Sequence, residues 1–175
     1  RGTNGAGTSA IIDVGGSTTT VIVSTAGVPQ FVRIIPTGGD DLTNALATRL
    51  GLTVEESEAL KMSLGLSIGA TSPEQGQAIS IMYEVTSELI TSLRNTLSYF
   101  AGARQADAVS RIVLTGGGSN LLGFGAALSE FTRLPVVPGA ILETIEVSKK
   151  IDRPALENKG SSLAVALGLA LGSGA

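Results

Sequence analysis

The chain has 175 residues, 43% hydrophobic and 15% charged, which suits a packed protein of one domain or two small lobes and excludes disorder. A net charge of −3 without any run of Lys or Arg argues against a nucleic-acid partner, which needs a clustered basic face. With no Cys and no His there are no disulfides, no Ser-His-Asp or Cys-His catalysis and almost no route to zinc, so any metal is a hard cation on oxygen ligands.

Residues 1–7 are polar and glycine-rich, with no starting Met and no signal-peptide pattern, and are read as a linker or boundary remnant. Residues 9–14 predict a buried strand, Gly15-Gly16-Ser17 a turn, and residues 19–24 a returning β-branched strand. After a turn at 25–29, residues 30–35 form a third strand, stopped by Pro36. Together they predict an antiparallel meander. Asp40 or Asp41 is expected to cap a helix through Leu50, ended by Gly51. Thr53-Val54-Glu55-Glu56 is a capping box that opens a helix over 54–64.

A loop of small residues follows, then a long helix over 74–101, closed by Gly102. Its residues Ile79, Met82, Val85, Leu89, Leu93, Leu97 and Phe100 step by three or four and form one apolar stripe. Residues 111–115 predict another strand, with Ser119 or Asn120 capping a helix through Phe131, and residues 135–137 a short strand. The run Leu163–Leu171 is uninterrupted and apolar. It falls short of the ~20 residues of a membrane helix and reads as a buried core helix. The ends, 8–37 and 103–175, are thus expected to share a discontinuous α/β lobe, with 38–102 inserted as a mainly helical subdomain.

Two strands run straight into glycine turns about a hundred residues apart. The first is Asp13-Val14-Gly15-Gly16-Ser17-Thr18-Thr19. Asp13 could hold a hydrated Mg²⁺, Gly15 and Gly16 expose N–H groups, and Ser17, Thr18 and Thr19 add hydroxyls for a phosphate. The same residues also make an ordinary hairpin. The second is Thr115-Gly116-Gly117-Gly118-Ser119, which leaves room for an adenine or phosphate or else forms a tight strand–helix turn. Leu121 stands where a dinucleotide fingerprint needs its third glycine, and no P-loop pattern exists. Glu58 and Lys61 lie one helical turn apart. They could reach ribose hydroxyls and a base, or form a solvated pair.

In this order the chain resembles the second half of the actin-like (ribonuclease H-like) ATPases, the group of actin, Hsp70, sugar kinases and FtsA. Within that group it is most similar to the type IV pilus assembly protein PilM family. The similarity also runs through residues 34–43, 50–61, 88–100 and 164–171. It implies an α/β actin-like lobe with a mixed sheet and a helical insertion, binding ATP and Mg²⁺. Asp13, Gly15, Gly16, Thr18 and Thr19 match the second phosphate loop, with Asp13 on the Mg²⁺ side through water. Gly116, Gly117, Gly118 and Ser119 match the adenosine loop. Glu58 and Lys61 match the pair at ribose and base, and Gly38 and Gly39 the entry to the helical lobe. Leu122 departs from the pattern, standing before Gly123 where proline is common.

Only one Asp-x-Gly-x-x-Thr hairpin is present, whereas the family carries two, one in each half. The chain is therefore read as a C-terminal half whose first partner is the missing N-terminal half of the same protein. The resemblance implies an ATP-dependent scaffold of type IV pilus or secretion assembly. It would sit peripherally at the cytoplasmic face of the inner membrane, without a span of its own, on the N-terminal tail of a PilN-like membrane protein. Catalysis by this chain alone is not expected. The alternatives are an FtsA-like division protein, a chaperone-type ATPase, an actin-fold sugar or acid kinase, and a scaffold without nucleotide.

Overall fold

The computed structural model describes residues 7–66, 69–103, 108–139, 156 and 160–172; residues 1–6, read as a linker, lie outside this set. Strands β1 (Thr8–Val14), β2 (Thr19–Thr25) and β3 (Val28–Ile35) form the predicted antiparallel meander. Strands β4 (Val109–Thr115) and β5 (Val136–Pro138) add in parallel on the far side of β1. The sheet order is β3-β2-β1-β4-β5, which puts β1 in the middle. Ile12 lies opposite Val21 on β2 and Leu114 on β4, and Ala10 opposite Val23 and Ile112. Directly opposed residues share a face, and all six partners of this patch are buried.

Five helices accompany the sheet among the described residues: α1 (Gly39–Leu50), α2 (Val54–Leu64), α3 (Pro73–Ala103), α4 (Phe124–Thr132) and α5 (Ala164–Gly172). The predicted stripe of α3 is buried except for Val85, which is half-buried. Leu89 and Leu93 join Leu46 of α1, Leu128 of α4 and the sheet residues in one hydrophobic cluster. At α2 the capping box forms as read: the Glu56 N–H donates to Thr53 Oγ1 at 3.2 Å and the Thr53 N–H to Glu56 Oε2 at 2.8 Å. Gly51 ends α1 in the left-handed region, at φ 69°.

Four expectations are corrected. Neither Asp40 nor Asp41 is the cap of α1; Gly38 is, and Asp41 accepts its N–H at 2.7 Å from the third helical position. Gly102 lies inside α3 rather than after it. Neither Ser119 nor Asn120 caps α4. The chain makes a 3-10 turn over Gly117–Asn120, and α4 starts at Phe124 behind Gly123. Ser119 instead turns its hydroxyl back to the Gly116 carbonyl at 2.7 Å. Finally, α5 is not a buried core helix: Val165, Leu169 and Leu171 are largely exposed. A helix apolar on every face has no stripe to announce its packed side, and the sheet core is already filled by α1, α3 and α4.

The fold makes a graded prediction. Leu93→Ala, in the fully buried stripe, should destabilise by about 3 kcal/mol. Arg49→Ala, which breaks only an exposed pair with Glu84, should change stability by about 0.5 kcal/mol or less. Urea denaturation midpoints compare the two, and equal effects would contradict this placement of the core.

Candidate functional site

The site begins with a backbone constraint. β1 and β4 are parallel neighbours, so their C-terminal ends lie side by side, with Asp13 opposite Thr115. Both glycine turns leave from that edge. The first closes as a hairpin, with the Gly15 N–H donating to the Thr18 carbonyl at 2.9 Å. The second starts at Gly116, at φ 88°, a conformation that favours glycine. A Cβ there would also overlap the Asp13 carboxylate and the Val14 carbonyl, and a Cβ on Gly118 would meet Val14 Cγ1.

A third glycine segment closes on the first. The Gly39 and Asp40 N–H groups donate to the Gly15 and Gly16 carbonyls at 2.9 and 2.8 Å. A Cβ on Gly38 would overlap the same two carbonyls. The first turn of α1 is thereby fixed to the hairpin.

Two cavities flank this junction. One, of about 280 Å³, runs between Gly15, Gly16, Gly38 and Gly39 on one side and Gly117 and Gly118 on another, with Glu58 at its rim and Lys61, Leu42, Leu89 and Phe124 in its wall. The other, of about 450 Å³, is lined by Asp13, Thr18, Gly116 and Gly117. Gly15, Gly16, Gly117 and Ser162 line both. Asp13 and the second glycine turn therefore face one space.

Three predicted residues do not line these cavities. Ser17 is exposed and donates to Asp40 Oδ2 at 3.1 Å. Thr19 is fully buried, and its hydroxyl donates to the Thr37 carbonyl at 2.7 Å. Ser119 lines a separate pocket beside β5. Conversely, Met62, Thr86, Asn120, Leu121 and Ser162 line the first cavity, although the sequence names none of them as a site residue. Met62 lies four residues after Glu58 and so shares its helix face. Thr86 and Ser162 come from distant helical segments that carry no local motif.

Lys61 is buried on α2 and uses all its donors within the chain. Its Nζ reaches the Gly39 carbonyl at 3.1 Å, Thr43 Oγ1 at 2.8 Å and Glu58 Oε2 at 2.6 Å. Three protons meet three acceptors. Thr43 in turn donates to Glu58 Oε2 at 2.6 Å. Partial burial pushes the Glu58 carboxyl up, but the bonds from Lys61 and Thr43 and the lysine charge outweigh it and leave Glu58 below its ordinary range. Glu58 remains half-exposed at the rim, while its lysine partner is turned inward.

Asp13 behaves oppositely: burial holds its carboxyl above the ordinary range. Among the described residues no group of three acidic side chains could hold a metal alone. A single carboxylate fits a cation that keeps most of its water, as Mg²⁺ does.

The comparisons with known proteins agree with this architecture. A family model described as type IV pilus assembly protein PilM matches residues 3–174. The cell division protein FtsA of Neisseria meningitidis serogroup B is 25% identical over 161 residues, covering 82% of this chain and 39% of that protein. FtsA of Bacillus subtilis is 39% identical over 56 residues, covering 32% of this chain and 13% of that protein. A solved PilM–PilN type IV pilus biogenesis complex matches with a TM-score of 0.80 and 27% identity, over 95% of this chain and 46% of that chain. MreB 5 of Spiroplasma citri bound to AMPPNP matches with a TM-score of 0.66 and 14% identity, over 95% of this chain and 52% of that chain. The fold is actin-like. The chain spans less than half the length of the FtsA and PilM proteins it matches.

Two opposite pH responses follow from the carboxylates. The folded pKa of Asp13 is raised, so its stabilising contribution is full at low pH and is lost as pH rises through that value. Thermal midpoints of Asp13→Asn and wild type should therefore diverge from about pH 4 upward, with the variant the more stable. The folded pKa of Glu58 is lowered, so its contribution is present at neutral pH and is lost as pH falls through that value. Glu58→Gln should be less stable than wild type by about 1 kcal/mol at pH 7, and the gap should close in acid. Reversed slopes would show that neither carboxylate sits in the environment described.

Proposed function

We propose, because this chain belongs to the type IV pilus assembly protein PilM family, that it forms a nucleotide-binding wall of an ATP-dependent scaffold for pilus assembly. The observation that carries the reading is the cavity shared by Asp13 and the second glycine turn. Gly16 and Thr18 would present N–H groups to the phosphates, the Gly15 N–H being held by the Thr18 carbonyl, and Gly117 would admit the adenosine without a Cβ in the way, with Gly118 packed on Val14 behind it. Asp13 would hold Mg²⁺ through water, and the ion would neutralise phosphate charge. Glu58 would take a ribose hydroxyl, with Lys61 fixing its orientation.

Phosphoryl transfer depends on groups placed around the whole phosphate, and this chain contributes one side of such a site. Residues 8–37 and 103–175 would act as the core lobe, and 38–102 as the inserted helical part. The solved PilM–PilN complex supports a PilN-like partner and hence a peripheral position at the inner membrane. No helix among the described residues is long and apolar enough to cross a membrane.

Calorimetry on the full-length protein tests the reading. Wild type should bind Mg-ATP, and Asp13→Ala should weaken it by about tenfold or more, the scale of a charge-assisted contact. Gly117→Val should weaken it as well, because the cavity narrows at a wall residue. If both variants bind like wild type, ATP does not occupy this cleft. If Asp13→Ala still assembles with its membrane partner, the scaffold does not depend on nucleotide.

A further inference from the structure

We propose that a backbone clasp between the end of α2 and the segment after the second glycine turn sets the span of the cleft, with Gly65 as its positioning residue; the inference rests on the nucleotide reading above. Gly65 follows α2 directly, at φ 56° and ψ −152°, a combination that is essentially glycine's alone. A Cβ there would overlap both the Cβ and the carbonyl oxygen of Leu122. The next residue turns this approach into a bond: the Leu66 N–H donates to the Leu122 carbonyl at 2.7 Å. Gly123 closes the joint from the other side. It sits at φ 86°, and a Cβ on it would lie 3.2 Å from Leu66 Cβ. Two glycines at positive φ thus let two backbones meet where side chains would hold them apart.

Both arms of the clasp lead into the 280 Å³ cavity. On the α2 arm, the Gly65 N–H donates to the Lys61 carbonyl at 2.9 Å, and Lys61 and Met62 line the cavity. On the other arm, the Leu121 N–H donates to the Gly118 carbonyl at 3.2 Å and the Phe124 N–H to the Leu121 carbonyl at 3.0 Å. Gly118, Leu121 and Phe124 line the same cavity. The clasp therefore fixes the span between the α2 wall and the Leu121 wall. The hairpin is held separately, by the bonds from Gly39 and Asp40 to Gly15 and Gly16. Met62, Leu121 and Phe124 offer carbon surface, which suits the nucleoside part of the ligand rather than its phosphates. A span fixed in advance spares that ligand the cost of ordering two segments.

The test uses the full-length protein. By calorimetry, Gly65→Ala should weaken Mg-ATP about tenfold, because the end of α2 must move off Leu122. Gly123→Ala, which strains the clasp from its other side, should repeat the loss. Leu122→Ala keeps the Cβ and the carbonyl that meet Gly65 and should bind like wild type. Amide hydrogen exchange in wild type supplies a readout that a merely structural joint would not move. A site shaped by the clasp must stabilise the clasp in return. Mg-ATP should therefore slow exchange of the Leu66 amide by more than that of the Arg133 amide, which is bonded to the Ser129 carbonyl at the end of α4.

Wild-type affinity in folded Gly65→Ala or Gly123→Ala would overturn the proposal. So would an equal loss in Leu122→Ala, which would make the contact a matter of side-chain packing. Equal slowing of the two amides would overturn it in favour of general stabilisation, and this measurement decides the matter if neither glycine variant folds. A wild-type protein that does not bind Mg-ATP would overturn the nucleotide reading itself, and this inference with it.

Discussion

The parallel pairing of β1 with β4 is the constraint on which the site depends. A parallel pair brings two strand ends to the same edge of a sheet although a long crossover separates them in sequence. Here the crossover contains α1, α2 and α3, so the helices that wall the cleft are threaded between the two turns that form its base. Adjacent strands lie about 4.8 Å apart, and the turns leaving them must pass within contact distance. Gly116 and Gly118 satisfy that requirement: their missing Cβ atoms are replaced by the Asp13 carboxylate and Val14. The glycine richness of the chain is thus partly a consequence of packing, before any ligand is considered.

The same crowding organises the second layer of the site. With Gly38 seated on the Gly15 and Gly16 carbonyls, α1 cannot move without the hairpin. Lys61 extends the connection. It holds the Gly39 carbonyl of α1 and the Glu58 carboxylate of α2 at once, so a contact made at Glu58 is mechanically joined to the hairpin through one buried ammonium. Removing the desolvated lysine would leave Thr43 and Glu58 without their shared donor, whereas removing exposed Ser17 would leave that network intact.

Much of this was legible in the sequence, and the reasons differ by element. The meander could be read because β-branched residues alternate with turns, and the α3 stripe because its period is helical over many turns. The two glycine turns could be read because strand-to-glycine transitions are local. What failed also has local causes. Asp40 and Asp41 both look like caps, yet close approach at Gly38 decides where α1 begins. Ser119 and Asn120 look like caps, yet the positive φ of Gly116 sends the chain through a 3-10 turn first. Thr19 reads as a phosphate hydroxyl, yet register places it facing Thr37. Nothing near Thr86 or Ser162 in the chain marks them as wall residues, because only the crossover brings them there.

Burial of α5 was misjudged for a related reason. Hydrophobicity measures how much surface a helix gains by being covered; only an amphipathic pattern says which side is covered. α5 has the first property without the second, and its contacts are mainly with the 3-10 turn that precedes it, Gly160–Leu163. Yet that placement has a consequence for the site. Ser162 lines both cavities and Val165 lines the one that holds Asp13, so the apolar helix begins at the Asp13 side of the cleft. Val165, on the first turn of α5, therefore shares a cavity wall with Asp13.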